Sequence, residues 1–334
     1  MFKKIVVPLD GSDVAEGILP YVSQFAKGMG ASLLLHTAID PDSIVVPKIV
    51  TRGEEMMVPP YSADYPGVYN RNVLTVTEVT HRSQLETNAL EQVKTSLRIV
   101  AKTLEAEGID VSVTATVGRP ADEIIKITEE QECDLIAMAT RGRNAITRGI
   151  LGSVTDKVIH ASKVPTLTIA PEKAEKYQKG EVAISRIVVP LDGSELAETA
   201  LAVVEQMARR MSLDMVLVRS IRGEDFYLSH AYGYHPAGFP DMNEELRQEA
   251  KEYLDEVAGD LRLRGLSVSI KLLDGPPAGA IIDYARQEPN DLIALTTHGR
   301  TGLSRWILGS VAEALVRASG DPVLVIPPEM DSAE

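Results

Sequence analysis

Two segments of the chain place glycine, arginine and serine in a pattern suited to an anion. Met138–Val158 reads MATRGRNAITRGILGSVTDKV, and 157 positions later Leu295–Leu315 reads LTTHGRTGLSRWILGSVAEAL. In each, an apolar run ends at Ala139 or Thr296, and a glycine follows it, Gly142 or Gly299, with Arg143 or Arg300 beside it. After nine further residues, Gly152-Ser153 or Gly309-Ser310 opens a helical pattern whose apolar face begins at Val154 or Val311. A glycine at the strand end lets a ligand approach the backbone with no Cβ in the way. The unpaired N–H groups and dipole of a helix start favour an anion, and the serine hydroxyl can add a donor. The same residues also suit a simple N-cap and a turn. Repetition at one spacing favours the anion site. So does local charge: Arg141, Arg143, Arg148, Lys157 and Lys163 outnumber Asp156 in a chain of net charge −14.

Acidic residues stand at the same predicted sheet edge. PLDGS occurs twice after a β-branched run and supplies Asp10 and Asp192. A carboxylate there suits a ribose hydroxyl or a metal that accompanies phosphates, or it caps the following helix. Gly118 and Gly275 read as turn residues before a helix. The chain has no P-loop GxxxxGK[ST], no GxGxxG after a first strand and no GxSxG elbow, which argues against those enzyme classes. His230 and His235 share a loop without other metal-site spacing, so no metal centre is expected.

The elements that position these residues are written twice. KIVVPLDGSDVAEGIL (Lys4–Leu19) returns as RIVVPLDGSELAETAL (Arg186–Leu201) at an offset of 182, and the later landmarks return at 157. The first copy therefore carries extra residues between Asp40 and about Leu85. Each copy alternates short apolar strands (Ile5–Pro8, Ser32–His36, Val111–Thr116, Leu135–Ala139 and Thr166–Ile169 in the first) with helical patterns such as Leu85–Glu107 and Asn243–Arg264. Strands apolar on both faces, alternating with helices, imply a parallel sheet covered on both sides. The expected domains are residues 1–171, with a long loop at about 40–84, and residues 185–328. A polar linker at 172–184 joins them and a tail follows at 329–334. At 334 residues there is room for two such domains. The acidic charge disfavours nucleic acid. The chain has no long apolar run, no signal-like start and a single cysteine, Cys133, which together fit a cytoplasmic protein without membrane contact.

VVPLDGS, VGxPA and the glycine segment together resemble the universal stress protein family, twice over and across nearly the whole chain. The resemblance implies two tandem Rossmann-like domains of the adenine nucleotide alpha hydrolase-like type, each a five-stranded parallel sheet of order 3-2-1-4-5 with helices on both faces. It also implies an internal pseudo-dimer paired through the fifth strands, with a homodimer open. The family's ATP pattern, G-x2-G-x9-G-[ST], matches here at Gly142 and Gly152-Ser153 and at Gly299 and Gly309-Ser310, while Ala139 and Thr296 replace its first glycine. By resemblance, Asp10 and Asp192 contact ribose, and Thr37 and Ser220 sit beside adenine. Gly142, Arg143, Gly152, Ser153 and Val154 line the phosphates of one copy; Gly299, Arg300, Gly309, Ser310 and Val311 line those of the other. The implied ligand is ATP with Mg²⁺. A module of the same fold that engages protein partners without nucleotide is the alternative, and slow ATP hydrolysis the third reading, with Asp10 or Asp192 as its base.

Of 15 aromatic residues, eight fall in the loops after strand two: Tyr61, Tyr65 and Tyr69 in one copy, Phe226, Tyr227, Tyr232, Tyr234 and Phe239 in the other. Such loops suit a lid or a binding surface, or they cover the adjacent helix.

Overall fold

The computed structural model describes residues 2–44, 76–141, 151–170, 184–221, 242–287, 291–297 and 308–328. The first repeat contributes strands β1 (Lys4–Pro8), β2 (Ser32–Ile39), β3 (Val111–Val117), β4 (Leu135–Ala139) and β5 (Thr166–Ile169). The second contributes β6 (Arg186–Pro190), β7 (Asp214–Ile221), β8 (Val268–Asp274), β9 (Asp291–Thr296) and β10 (Val323–Ile326). All ten form one sheet in the order β3-β2-β1-β4-β5-β10-β9-β6-β7-β8. Each half has the expected 3-2-1-4-5 order with parallel pairing. The halves join where β5 and β10 run antiparallel, with Leu324 opposite Leu167. Thr168 lies fully buried at this seam, and its hydroxyl donates to the Val323 carbonyl at 3.2 Å. That contact satisfies a hydroxyl that would otherwise be costly to bury.

The first repeat carries helices α1 (Asp13–Glu16), α2 (Leu19–Met29), α3 (Val76–Ala106), α4 (Pro120–Glu130) and α5 (Ser153–Ala161). The second carries α6 (Glu195–Met211), α7 (Met242–Leu263), α8 (Pro277–Ala285) and α9 (Ser310–Ala318). Where α6 is continuous, the first repeat breaks into α1 and α2 at Gly17-Ile18, just before Pro20. Proline cannot donate to the preceding turn, so it starts a helix more readily than it continues one. The loop expected at about 40–84 is shorter than its sequence suggested: a 3₁₀ turn occupies Pro41–Ser43 and α3 begins at Val76. The aromatic clusters at Tyr61–Tyr69 and Phe226–Phe239, most of the linker and the tail lie outside the described residues.

Strand side chains alternate between two helical layers. On one face Ile5, Leu33, Ile187 and Leu217 pack with α2, α3, α6 and α7 in a single core that runs through both repeats. Gln24 ties the layer together by exchanging two hydrogen bonds with the backbone of Ile184, and the Arg210 guanidinium donates to the Met29 carbonyl at 3.1 Å. On the other face the core divides: Val6, Leu34 and Ile136 pack under α4 and α5, while Val188, Val216 and Ile293 pack under α8 and α9.

Candidate functional site

The parallel strands of each repeat end at one edge, and the candidate residues gather there. The segment after β4 closes on itself: the Thr140 N–H donates to the Ile169 carbonyl at 3.0 Å, and the Gly152 N–H donates back to the Thr140 carbonyl at 2.9 Å. The second repeat repeats this, Thr297 to Ile326 at 3.0 Å and Gly309 to Thr297 at 2.6 Å. Each glycine thus sits against a strand end. A Cβ on Gly152 would lie 3.3 Å from the Thr140 carbonyl oxygen, so glycine is the residue that lets the helix start approach this closely. Gly152 and Gly309 are themselves the N-caps of α5 and α9, without a side-chain cap bond. Ser153 and Ser310 are the first helical residues rather than caps, which leaves the first-turn N–H groups without a side-chain acceptor from the cap. Gly142, Arg143, Gly299 and Arg300 lie outside the described residues.

The aspartates of PLDGS do not cap a helix directly. Asp10 Oδ1 accepts from the Ser12 N–H at 3.0 Å and from its hydroxyl at 2.5 Å, and Ser12 in turn caps α1 through the Ala15 N–H. Asp192, Ser194 and Ala197 repeat the relay at 3.0, 2.6 and 3.2 Å. Gly11 and Gly193 take φ of 71° and 84° between these residues, a left-handed turn that a side chain would strain. Each aspartate is held at the strand edge by this turn.

The end of strand two places Thr37 and Ser220 differently. The Leu9 N–H donates to the His36 carbonyl and the Leu191 N–H to the Val218 carbonyl, at 2.8 and 2.9 Å. His36 therefore matches Val218, and Thr37 matches Arg219. Thr37 and Ser220 are not equivalents; they fall one residue apart in register and so on opposite faces of the sheet. The Thr37 hydroxyl donates to the Leu9 carbonyl at 2.7 Å, and the Ser220 hydroxyl to the Gly275 carbonyl. His36 is wholly buried, shares a hydrogen bond with the Thr116 hydroxyl through Nε2 at 2.9 Å, and leaves Nδ1 without a partner. Burial pushes its pKa down to about 4, so the imidazole is neutral. The Arg219 guanidinium lies over the Tyr253 ring at 5.1 Å. Tyr253 donates to Glu198 at 2.7 Å, and burial together with that carboxylate pushes its phenol pKa upward.

In the second repeat these pieces surround a cavity of about 510 Å³, within the size range of small-molecule sites. Six of the expected residues line it: Asp192, Ser220, Thr296, Gly309, Ser310 and Val311. Thr296 is buried in the cavity wall, so its side chain occupies space that glycine would leave open. The cavity also takes in Arg219, and Leu246, Glu249 and Ala250 of α7, which motif reading missed. The 182-residue offset carried through β2 to β7 would have found Arg219. The α7 residues belong to no motif; only tertiary packing brings them there. In the first repeat Asp10, Thr37, Ala139, Gly152, Ser153 and Val154 hold the corresponding edge, and the Thr155 hydroxyl donates to the Ala139 carbonyl at 3.0 Å.

Comparison with known proteins agrees with the duplicated edge. The universal stress protein family profile matches residues 58–170 and again 183–327. The chain belongs to the universal stress protein family. Two universal stress proteins of Methanocaldococcus jannaschii are similar to parts of it: one is 30% identical over 149 residues, covering 45% of this chain and 85% of that one. The other is 31% identical over 169 residues, covering 51% and 95%. A crystal structure of a universal stress protein from Archaeoglobus fulgidus matches the whole architecture with a TM-score of 0.64 at 22% identity, covering 98% of each chain. This member is thus a tandem one, with both repeats on a single chain. Among its described residues no helix is long and apolar enough to cross a membrane, and no group of three histidine, cysteine or acidic residues stands ready for a metal ion.

Proposed function

We propose that this family member is a cytoplasmic stress-response regulatory protein that holds an adenine nucleotide, ATP with Mg²⁺, in one or both repeats. The observation that carries the reading is the convergence of Asp192, Ser220, Thr296, Gly309, Ser310 and Val311 on one cavity. The residues fit the ligand. The α9 N-terminus, with its glycine cap, offers N–H groups and a positive dipole end to phosphate. Asp192 offers a carboxylate to ribose hydroxyls or to Mg²⁺. Strand ends and apolar side chains such as Ile281 and Leu295 supply walls for a base. Bound nucleotide stabilises the folded chain by mass action, about 2.7 kcal/mol at a concentration one hundred times Kd.

Calorimetry and thermal melting with ATP and Mg²⁺ test the reading, together with assay of nucleotide released from the purified protein on denaturation. Binding heat and a raised Tm are expected. No heat and no shift at millimolar ATP would exclude it. That outcome would favour the alternative, a protein-interaction module of the same fold, to which the buried Thr296 side chain in the cavity wall lends support.

A further inference from the structure

Among the described residues the two repeats differ at the end of the site far from the glycine-serine segment, and the difference has a chemical pattern. Strand register makes Thr37 and Arg219 equivalents. The helices preceding β3 and β8 align through matching turns, Ile109 N–H to the Leu104 carbonyl and Leu266 N–H to the Leu261 carbonyl. That alignment pairs Gln92 with Glu249 and Ser96 with Tyr253. The first repeat thus presents threonine, glutamine and serine, all neutral, where the second presents arginine, glutamate and tyrosine.

In the second repeat these residues are placed for recognition. Arg219 lies half-buried over the Tyr253 ring, which is itself anchored by Glu198. Glu249 stands at the exposed rim of the same cavity. Among the described residues neither forms an ion pair, although both line one cavity. Their place along the ligand follows from strand order. The anion-favouring α9 start follows β9, Asp192 follows β6, and Arg219 lies on β7, and these strands are adjacent in that order. At roughly 4.8 Å per strand, Arg219 is about 10 Å across the sheet from the phosphate end. A nucleotide with its phosphates at Gly309-Ser310 and its ribose at Asp192 brings its base to Arg219 and Glu249.

Arginine only donates and an ionised carboxylate only accepts. Guanine matches both. Its O6 and N7 accept side by side, as they do from arginine in nucleic-acid recognition, and its N1–H and 2-amino group donate together to a carboxylate. Adenine opposes both, with its 6-amino donor towards arginine and its N1 acceptor towards glutamate. We propose that the second repeat selects guanine over adenine, with Arg219 reading O6 and N7 and Glu249 reading N1–H and the 2-amino group. This rests on the nucleotide reading above, in which the second cavity also takes ATP, and adds to it a preference for guanine at that site.

The test is displacement of a fluorescent GTP analogue from the full chain by GTP, ITP and ATP, each with Mg²⁺, with calorimetry of ATP in parallel. GTP should displace at a concentration at least about tenfold lower than ATP, with ITP, which lacks the 2-amino group, between them. Arg219→Thr and Glu249→Gln install the first repeat's residues. Each should weaken GTP about tenfold while leaving ATP within about twofold, and Glu249→Gln should erase the advantage of GTP over ITP. Equal displacement by GTP and ATP, or variants that weaken both alike, would overturn the base assignment. So would calorimetric ATP binding without any binding of the GTP analogue. Absence of all nucleotide binding would instead overturn the proposed function.

Discussion

The two repeats hold the same aspartate by different means. In the first, Asp134 accepts from the backbone N–H groups of Lys3 and Lys4 at 2.6 and 3.1 Å. In the second, its counterpart Asp291 is almost fully buried and receives a bidentate grip from Arg186 Nε and Nη2, both at 2.7 Å. Arg186 also lies 5.5 Å over the Tyr284 ring. The strand pairing around the two aspartates is the same: β1 meets β4 as β6 meets β9. A parallel sheet built on backbone hydrogen bonds tolerates exchange of the side chains at its edges. Chemistry therefore diverges between repeats while architecture does not. The same contrast recurs at His36 and Val218, at Thr37 and Arg219, and at Ala139 and Thr296.

The largest expected effect separates the aspartates. Asp291→Ala takes the bidentate carboxylate from a mostly buried guanidinium and should cost about 3–5 kcal/mol. Asp134→Ala removes bonds to exposed or half-buried N–H groups and should cost about 1–2 kcal/mol. Urea denaturation of both variants measures the difference; equal losses would break the contrast.

His36 comes next. Its folded pKa of about 4 lies below the ordinary value of 6.5, so the unfolded chain takes up the proton first as pH falls. The neutral imidazole's share of stability is complete above about pH 6.5 and is lost as the pH falls to about 4, by up to roughly 3 kcal/mol. His36→Val, which copies Val218, should remove that dependence. Thermal melts of both proteins between pH 7 and pH 4 should diverge steadily, and parallel curves would show that the imidazole titrates in the fold as it does in the unfolded chain.

The smallest effects concern the strand ends. Thr296→Gly removes a β-branched side chain from the cavity wall and should tighten nucleotide at the second repeat by about tenfold, against a cost of about 1 kcal/mol in the strand. Ala139→Gly removes a single methyl group and should change affinity at the first repeat by about twofold to threefold. Calorimetry on the two variants ranks them. A larger gain from Ala139→Gly would place the tighter obstruction in the first repeat.

Much of this is legible in the sequence. Doubly apolar strands such as Ile5–Pro8 and Leu135–Ala139 signal a buried parallel sheet because both faces must be covered, and the repeated PLDGS and GS segments mark the candidate edge. Boundaries were less legible. Helix α3 starts at Val76, although Val76, Thr77, Val79 and Thr80 are β-branched residues of low helix propensity that give no helix signal in the sequence. The equivalence of Thr37 with Arg219 was likewise settled only by hydrogen-bond register.

Periodicity and repetition, which are local properties of the chain, determined by themselves the duplicated α/β plan and the residues at the strand ends; the strand order followed only from the family resemblance. Tertiary structure alone decided which side chains share a cavity. Glu249 reaches the site from a helix over fifty residues beyond Asp192, and His36 becomes a buried neutral base only when α4 and α5 cover its face of the sheet. No local pattern encodes either fact, because burial and adjacency arise only once distant segments pack together.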